Sequence, residues 1–126
     1  MDTPEFLTLD EVLFLHDESI RRFGGSYGLG DQGLVESALG AAQNTFHYGG
    51  GDLFAIAATY AFHLAESQAF TDGNKRTAVA SALAFLRKNG IRIRRDDSTI
   101  CEAMIAIANK QLDKPGLADV LRRFAK

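Results

Sequence analysis

Two segments that follow one another along the chain, LFAIAATYAFHLAES (53–67) and TAVASALAFLRKNG (77–90), are apolar nearly all the way round when placed on a helix. A helix with a single apolar stripe can lie on a surface, but one without a polar face must be enclosed by other elements. Two such helices in succession are core helices, and the rest of the chain has to wrap them. The 126 residues leave room for one domain, 1–126, that buries roughly two thirds of its unfolded surface and needs no covalent staple. A bilayer is the other way to enclose an apolar helix. It is excluded here because His63, Glu66 and Gln68 interrupt the richest stretch well short of the roughly 18 uninterrupted apolar residues of a membrane span. The opening MDTPEFLTLDEV has no basic region followed by an apolar run, so a cytoplasmic protein with no membrane attachment is predicted.

The remaining elements follow from local signals. Thr8 and Glu11 in TLDE form a capping box, with Leu9, Val12, Leu13, Leu15 and Ile20 behind it, so the spacing predicts a first helix to about Arg22. FGGSYGLGDQG (23–33) is a turn-rich connection, and its Asp31 is placed to cap a second helix through Leu34, Val35, Ala38, Leu39 and Ala42. NTFHYGGGD (44–52) reads as the loop that ends that helix, and Asp52 as the cap of the first core helix. Gly90 sits at the C′ position of the second core helix. IRIRR (91–95) alternates too briefly for more than an edge strand or an extended link. Ser98 starts a helix with Ile100, Met104, Ile105 and Ala108, and Asp113 with Pro115 starts the last, through Leu121 and Phe124. The expected fold is all-α, a single helical domain of about six helices with at most a short β flap or edge strand.

Charge and cysteine content narrow the function. Fourteen basic against sixteen acidic side chains give a net charge of −2, too weak for a protein held on nucleic acid by phosphate neutralisation, so no direct nucleic-acid binding is expected. The single cysteine, Cys101, rules out an internal disulfide and a Cys-rich metal site, and its apolar helical surroundings make it a packing residue.

Between the two core helices lies a compact polar stretch, QAFTDGNKRTA (68–78). A loop held between buried helices has a rigid frame, which a site of fixed geometry requires. Gly73 lets the backbone turn, Asn74 and Lys75 present N–H groups at the start of the next helix, and Lys75 and Arg76 add whole charges to its positive end. Asp72 would repel an anion there unless a cation stood between them, and a carboxylate beside phosphate-binding groups commonly holds Mg²⁺. The plain alternative is a turn in which Asp72 caps the helix and the two cations are solvated. Two cations at a helix N-terminus oppose the dipole by about 0.3–1 kcal/mol each. A turn alone gives no reason for them.

FTDGNKRTA resembles the signature of the Fic/Doc (Fido) family, His-x-Phe-x-Asp/Glu-Gly-Asn-Gly/Lys-Arg, and Lys75 in place of the second glycine marks the Doc, or death-on-curing, branch. LTLDEVLFLHDESIRRFGG, GLGDQGLVESAL, DLFAIAATYAFHLAE and SALAFLRKNG are similar to Doc-like toxins in order and spacing, so the resemblance covers nearly the whole chain. It implies a helical Fido fold acting on ATP or another nucleotide. Phe70 would anchor the loop, Asp72 would hold the metal, Gly73, Asn74 and Lys75 would form the anion hole, and Arg76 would clamp the outer phosphates. It further implies transfer of the terminal phosphoryl group, rather than AMP, to a hydroxyl on a protein of the translation machinery. A small antitoxin protein would close the site with a helix.

The sequence departs from the motif at its first residue. Gln68 occupies the position of the family's base, and Ala69 that of the usual proline. Glutamine can orient a hydroxyl but cannot take its proton, and a lost base typically lowers a rate by about 10²–10⁴-fold. Phosphoryl transfer depends more on positioning and charge neutralisation than on a strong nucleophile. Two readings stand: a transferase with an altered site, and a Fido module that binds nucleotide or an antitoxin helix without turnover. His63 lies about 140° further round its helix than Gln68 and reads as a core residue. Glu66 reads as solvated or paired with Arg76, and His47 as a residue of a target-docking flap at 44–52. A transition-metal site from His63 and Glu66 lacks a third ligand.

Overall fold

The computed structural model describes residues 3–93 and 111–125 together with Glu102 and Ala106. Five helices are present among them: α1 (Leu9–Phe23), α2 (Gln32–His47), α3 (Leu53–Ser67), α4 (Asn74–Lys88) and α5 (Lys114–Phe124). The architecture is all-α. Glu102 and Ala106 are helical; the other residues of the helix expected from Ser98, Cys101 among them, and the second half of the 91–95 link lie outside the described residues.

The central helix is α3, which packs against α2, α4 and α5, while α1 covers α4 and touches α2. Its apolar circumference is thus explained, since partners lie on several sides. Ile56, Ala57, Ala58 and Tyr60 are fully buried, and the alanines let neighbouring backbones approach closely. Phe85 of α4 completes this core, with its ring 5.2 Å from that of Tyr60 and 6.3 Å from that of Phe6. Burial pushes the Tyr60 phenol up to about 12, so the hydroxyl stays neutral and accepts the Leu7 N–H at 3.0 Å. That bond satisfies a buried backbone donor that no helix could.

The local signals hold at most element ends. Thr8 and Glu11 form the capping box; Asp52 accepts from the Ala55 N–H at 2.8 Å, and Asp113 from the Gly116 N–H at 3.0 Å. Beyond α4, the Gly90 N–H reaches the Arg87 carbonyl and the Ile91 N–H the Leu86 carbonyl. This is a Schellman motif, with Gly90 at φ 86.

Two expectations are corrected. Residues 44–47 belong to α2 and not to a loop, because Phe46 packs edge-on to Phe6 at 6.1 Å and Thr45 bonds both the Ala41 carbonyl and Thr59. His47 therefore ends a helix against Phe6 instead of standing on a flap. Asp31 occupies the N-cap position of α2 but makes no side-chain cap bond. No strand forms among the described residues; the extended contacts are isolated bridges, Leu29 with Phe70 and Ile93 with Ala125.

Candidate functional site

The polar stretch between α3 and α4 is tied down from three directions. Asn74, the first residue of α4, accepts the Phe70 N–H at 3.0 Å and donates to the Phe70 carbonyl at 2.9 Å. Its side chain is a clamp on the loop, which leaves its backbone N–H for a ligand. Phe70 itself is 4% exposed and anchors the loop in the core.

The glycine-rich connection between α1 and α2 forms the second tie. The Ala69 carbonyl accepts from the Gly30 and Asp31 N–H groups at 2.8 and 3.1 Å, and the Thr71 N–H donates to the Gly28 carbonyl at 3.0 Å. The third tie comes from His16 on α1, whose Nε2 lies 2.7 Å from the Asp72 carbonyl oxygen. Neither His16 nor the glycine connection was legible as part of the site. His16 lies 56 residues from its partner and the glycine connection about forty from its own, and no local pattern signals such contacts.

An open cleft of about 340 Å³ results, lined by Gln68, Thr71, Asp72, Asn74, Lys75 and Arg76, with Gly73 at its floor. The structure thus gathers Gln68, Asp72, Gly73, Asn74, Lys75 and Arg76 around one space, while Phe70 points into the core. Gly73 is the N-cap of α4 at φ 77 and makes no side-chain cap bond. A Cβ there would come within 3.2 Å of Ile20 and 3.3 Å of Arg76. The first N–H groups of a helix have no intrahelical partner. Those of Asn74, Lys75 and Arg76 find no protein acceptor among the described residues.

Charge at this helix end is arranged against the dipole. The first turn of α4 carries no acid, whereas that of α1 carries Asp10 and Glu11. Acid is absent from the first turns of α2, α3 and α5 as well; α4 differs from them in carrying two adjacent cations, Lys75 and Arg76, a start suited to receive an anion. Arg76 donates to the Gly24 carbonyl at 3.0 Å and lies over the Phe23 ring at 5.6 Å. It is not paired with Glu66, which is exposed.

The exposed carboxylate of Asp72 takes the Gly73 N–H at 3.1 Å and the Ser26 N–H at 3.2 Å. No group of three or more His, Cys, Asp or Glu converges among the described residues. One accessible carboxylate beside open backbone N–H groups does fit Mg²⁺, which is usually held by one or two carboxylates and shared with phosphate oxygens.

His63 faces away from the cleft, with its Nε2 3.3 Å from the Lys114 Nζ. Partial burial, reinforced by the Lys114 charge, holds the imidazole below its usual range. The lysine donates to a neutral ring that links α3 to α5. No helix among the described residues is long and apolar enough to cross a membrane.

The chain is similar in sequence to known proteins over most of its length. The sequence pattern of the Fic/DOC family matches residues 6–86, a stretch that runs from ahead of α1 through the cleft and most of α4. The protein kinase doc of Escherichia phage P1 is 38% identical over 116 residues, covering 91% of each chain. The toxin Doc of Mycolicibacterium smegmatis is 36% identical over 127 residues, covering 96% of this chain and 94% of that one. The chain, its helical core and the loop between α3 and α4 belong to the Fic/DOC family.

Proposed function

We propose that this protein is a Doc-like toxin of a toxin–antitoxin pair, acting in the cytoplasm. It would bind ATP or a related nucleotide with Mg²⁺ and transfer the terminal phosphoryl group to a hydroxyl of a translation protein. The observation that carries this reading is the start of α4, where open N–H groups, Lys75 and Arg76 meet at one cleft with the Asp72 carboxylate. That the phage P1 relative is named a protein kinase supports phosphoryl over AMP transfer.

The chain's own groups suffice for most of that chemistry. The Asn74 and Lys75 N–H groups and the Lys75 ammonium would hold phosphate oxygens, and Arg76 would leave the Gly24 carbonyl to neutralise charge on the transferred group. Mg²⁺ on Asp72 would supply further charge neutralisation. Gln68 would orient the target hydroxyl through its amide, and as ADP leaves the hydroxyl proton would pass to an oxygen of the transferred phosphoryl group or to solvent, which a loose transition state tolerates. A small partner protein would switch the toxin off by laying a helix on the domain.

Gln68 also favours a second reading, a Fido module that binds nucleotide or an antitoxin helix without turnover, since nothing else in the cleft matches the missing base. Titration calorimetry with Mg-ATP tests what both readings share. Lys75→Ala and Arg76→Ala should each weaken binding by about 1.5–3 kcal/mol, the worth of a charge-assisted phosphate contact. Unchanged affinity in both variants would remove the anion site.

A further inference from the structure

His16 is 2% exposed on α1, and its ring lies flat on Phe70, with centroids 3.9 Å apart and planes 10° apart. Its Nε2 is 2.7 Å from the Asp72 carbonyl oxygen. A carbonyl can only accept, so Nε2 carries a proton in either charge state of the ring and donates it there. Nδ1 turns the other way, 3.8 Å from the Asp17 carboxylate. With Nε2 committed and the ring buried, His16 cannot substitute for the base that Gln68 lacks.

The bond acts on one peptide unit. The Asp72 carbonyl and the Gly73 N–H belong to the same plane, and that N–H donates to the Asp72 Oδ1 at 3.1 Å. Gly73 follows at φ 77, a conformation glycine adopts as readily as its mirror image. Nothing intrinsic to glycine stops this unit from turning over, and doing so would swing the Gly73 N–H out of its bond and release the Asp72 carboxylate, while the later N–H groups stay fixed by α4. His16 opposes it from the core side through the Asp72 carbonyl, with the Phe70 stack holding the imidazole in place, while the bond to the Asp72 carboxylate opposes it at the surface.

We propose that His16 is a positioning residue, which sets the orientation of the 72–73 peptide and so holds the Gly73 N–H and the Asp72 carboxylate in place at the entry to α4. The consequence for phosphate rests on the reading given above; the ordering of the loop does not. Two substitutions separate the contacts. His16→Phe keeps a ring on Phe70 and removes the donor, and His16→Gln keeps a donor and removes the ring.

Amide hydrogen exchange on the full chain reads the result at Phe70, Thr71 and Gly73, with Ile56 and Tyr60 of α3 as the internal reference. In His16→Phe the three loop amides should exchange about tenfold faster relative to the reference, as expected for one lost buried hydrogen bond. Mg-ATP affinity should fall with them, and His16→Gln should recover most of both. Loop exchange unchanged in His16→Phe, loop and core amides accelerating together, or His16→Gln as damaging as His16→Phe would each overturn the proposal. If the parent does not bind Mg-ATP at all, the nucleotide reading fails, and loop exchange alone still decides the role of His16.

Discussion

At the scale of single residues, Gln68 stands apart because it is left-handed, with φ 52 and ψ 46, and no other non-glycine residue described has a positive φ. Such a conformation is sparsely populated for a residue with a Cβ and persists where the surroundings impose it. Histidine is among the side chains enriched there, so Gln68→His fits the existing backbone and restores a base at the mouth of the cleft. The variant should melt within about 0.5 kcal/mol of the parent, as surface substitutions do. It should transfer label from γ-labelled ATP to a protein in a bacterial lysate far better than the parent. Label from α-labelled ATP would instead mean AMP transfer. If both proteins bind Mg-ATP and neither transfers either label, the module without turnover is the correct reading. Residue-level signals were legible where their partners were close: Thr8 with Glu11, Asp52 with Ala55 and Asp113 with Gly116 each span three positions. His16 was not legible, because its partners Phe70 and Asp72 become neighbours only once α1 has packed on α4.

At the scale of elements, α4 is held at both ends by the same device. Asn74 clamps the backbone of Phe70, and at the far end Asn89 accepts the Glu5 N–H at 2.8 Å while donating to the Glu5 carbonyl at 3.0 Å. Each asparagine gives an extended residue the two hydrogen bonds a strand neighbour would supply, without a sheet. The glycine connection between α1 and α2 completes the site in the same way, through backbone groups alone. Gly25 is its approach to the Asp72 carboxylate: at φ 113, an added Cβ would lie 2.8 Å from Oδ2, as one at Gly28 would lie 2.5 Å from the Thr71 Oγ1. Gly25→Ala should therefore lower stability by about 1–2 kcal/mol, more than the usual glycine-to-alanine gain reversed, and should weaken Mg-ATP binding by displacing Asp72. Urea denaturation with calorimetry checks both; a variant as stable as the parent with full affinity would show that the connection does not shape the cleft. The pattern FGGSYGLGDQG announced a turn but not its destination, since glycine spacing encodes permission to bend and says nothing of what is approached. The end of α2 was misread for a related reason: asparagine and threonine at 44–45 disfavour a helix locally, and the packing of Phe46 on Phe6 outweighs them.

At the scale of the whole molecule, the two apolar helices set the architecture, and burying them leaves one face of the wrapping helix α1 apolar and open. Between α1 and α4 runs a groove of about 270 Å³ lined by Leu7, Leu15, Phe14 and Ala84 and rimmed by Asp10 and Glu11. Phe14 is 62% exposed, a large apolar side chain that the core does not use. Glu11 is already paired with Lys88 at 2.8 Å, which leaves Asp10 as the open charge at the rim. A groove of this shape and charge suits an amphipathic helix with apolar residues at i, i+3, i+4 and i+7 and a basic residue beside them, the form an antitoxin segment would take. Co-expression with the product of the reading frame immediately upstream should therefore give one complex on size exclusion at micromolar concentration. Phe14→Asp should split that complex, because a carboxylate would be buried against the partner's apolar stripe. The same substitution should leave Mg-ATP affinity unchanged, since Phe14 does not line the cleft between Gln68 and Arg76. If the two proteins elute apart with Phe14 intact, the upstream product is not the partner. A complex that survives Phe14→Asp would mean that the partner docks elsewhere on the domain.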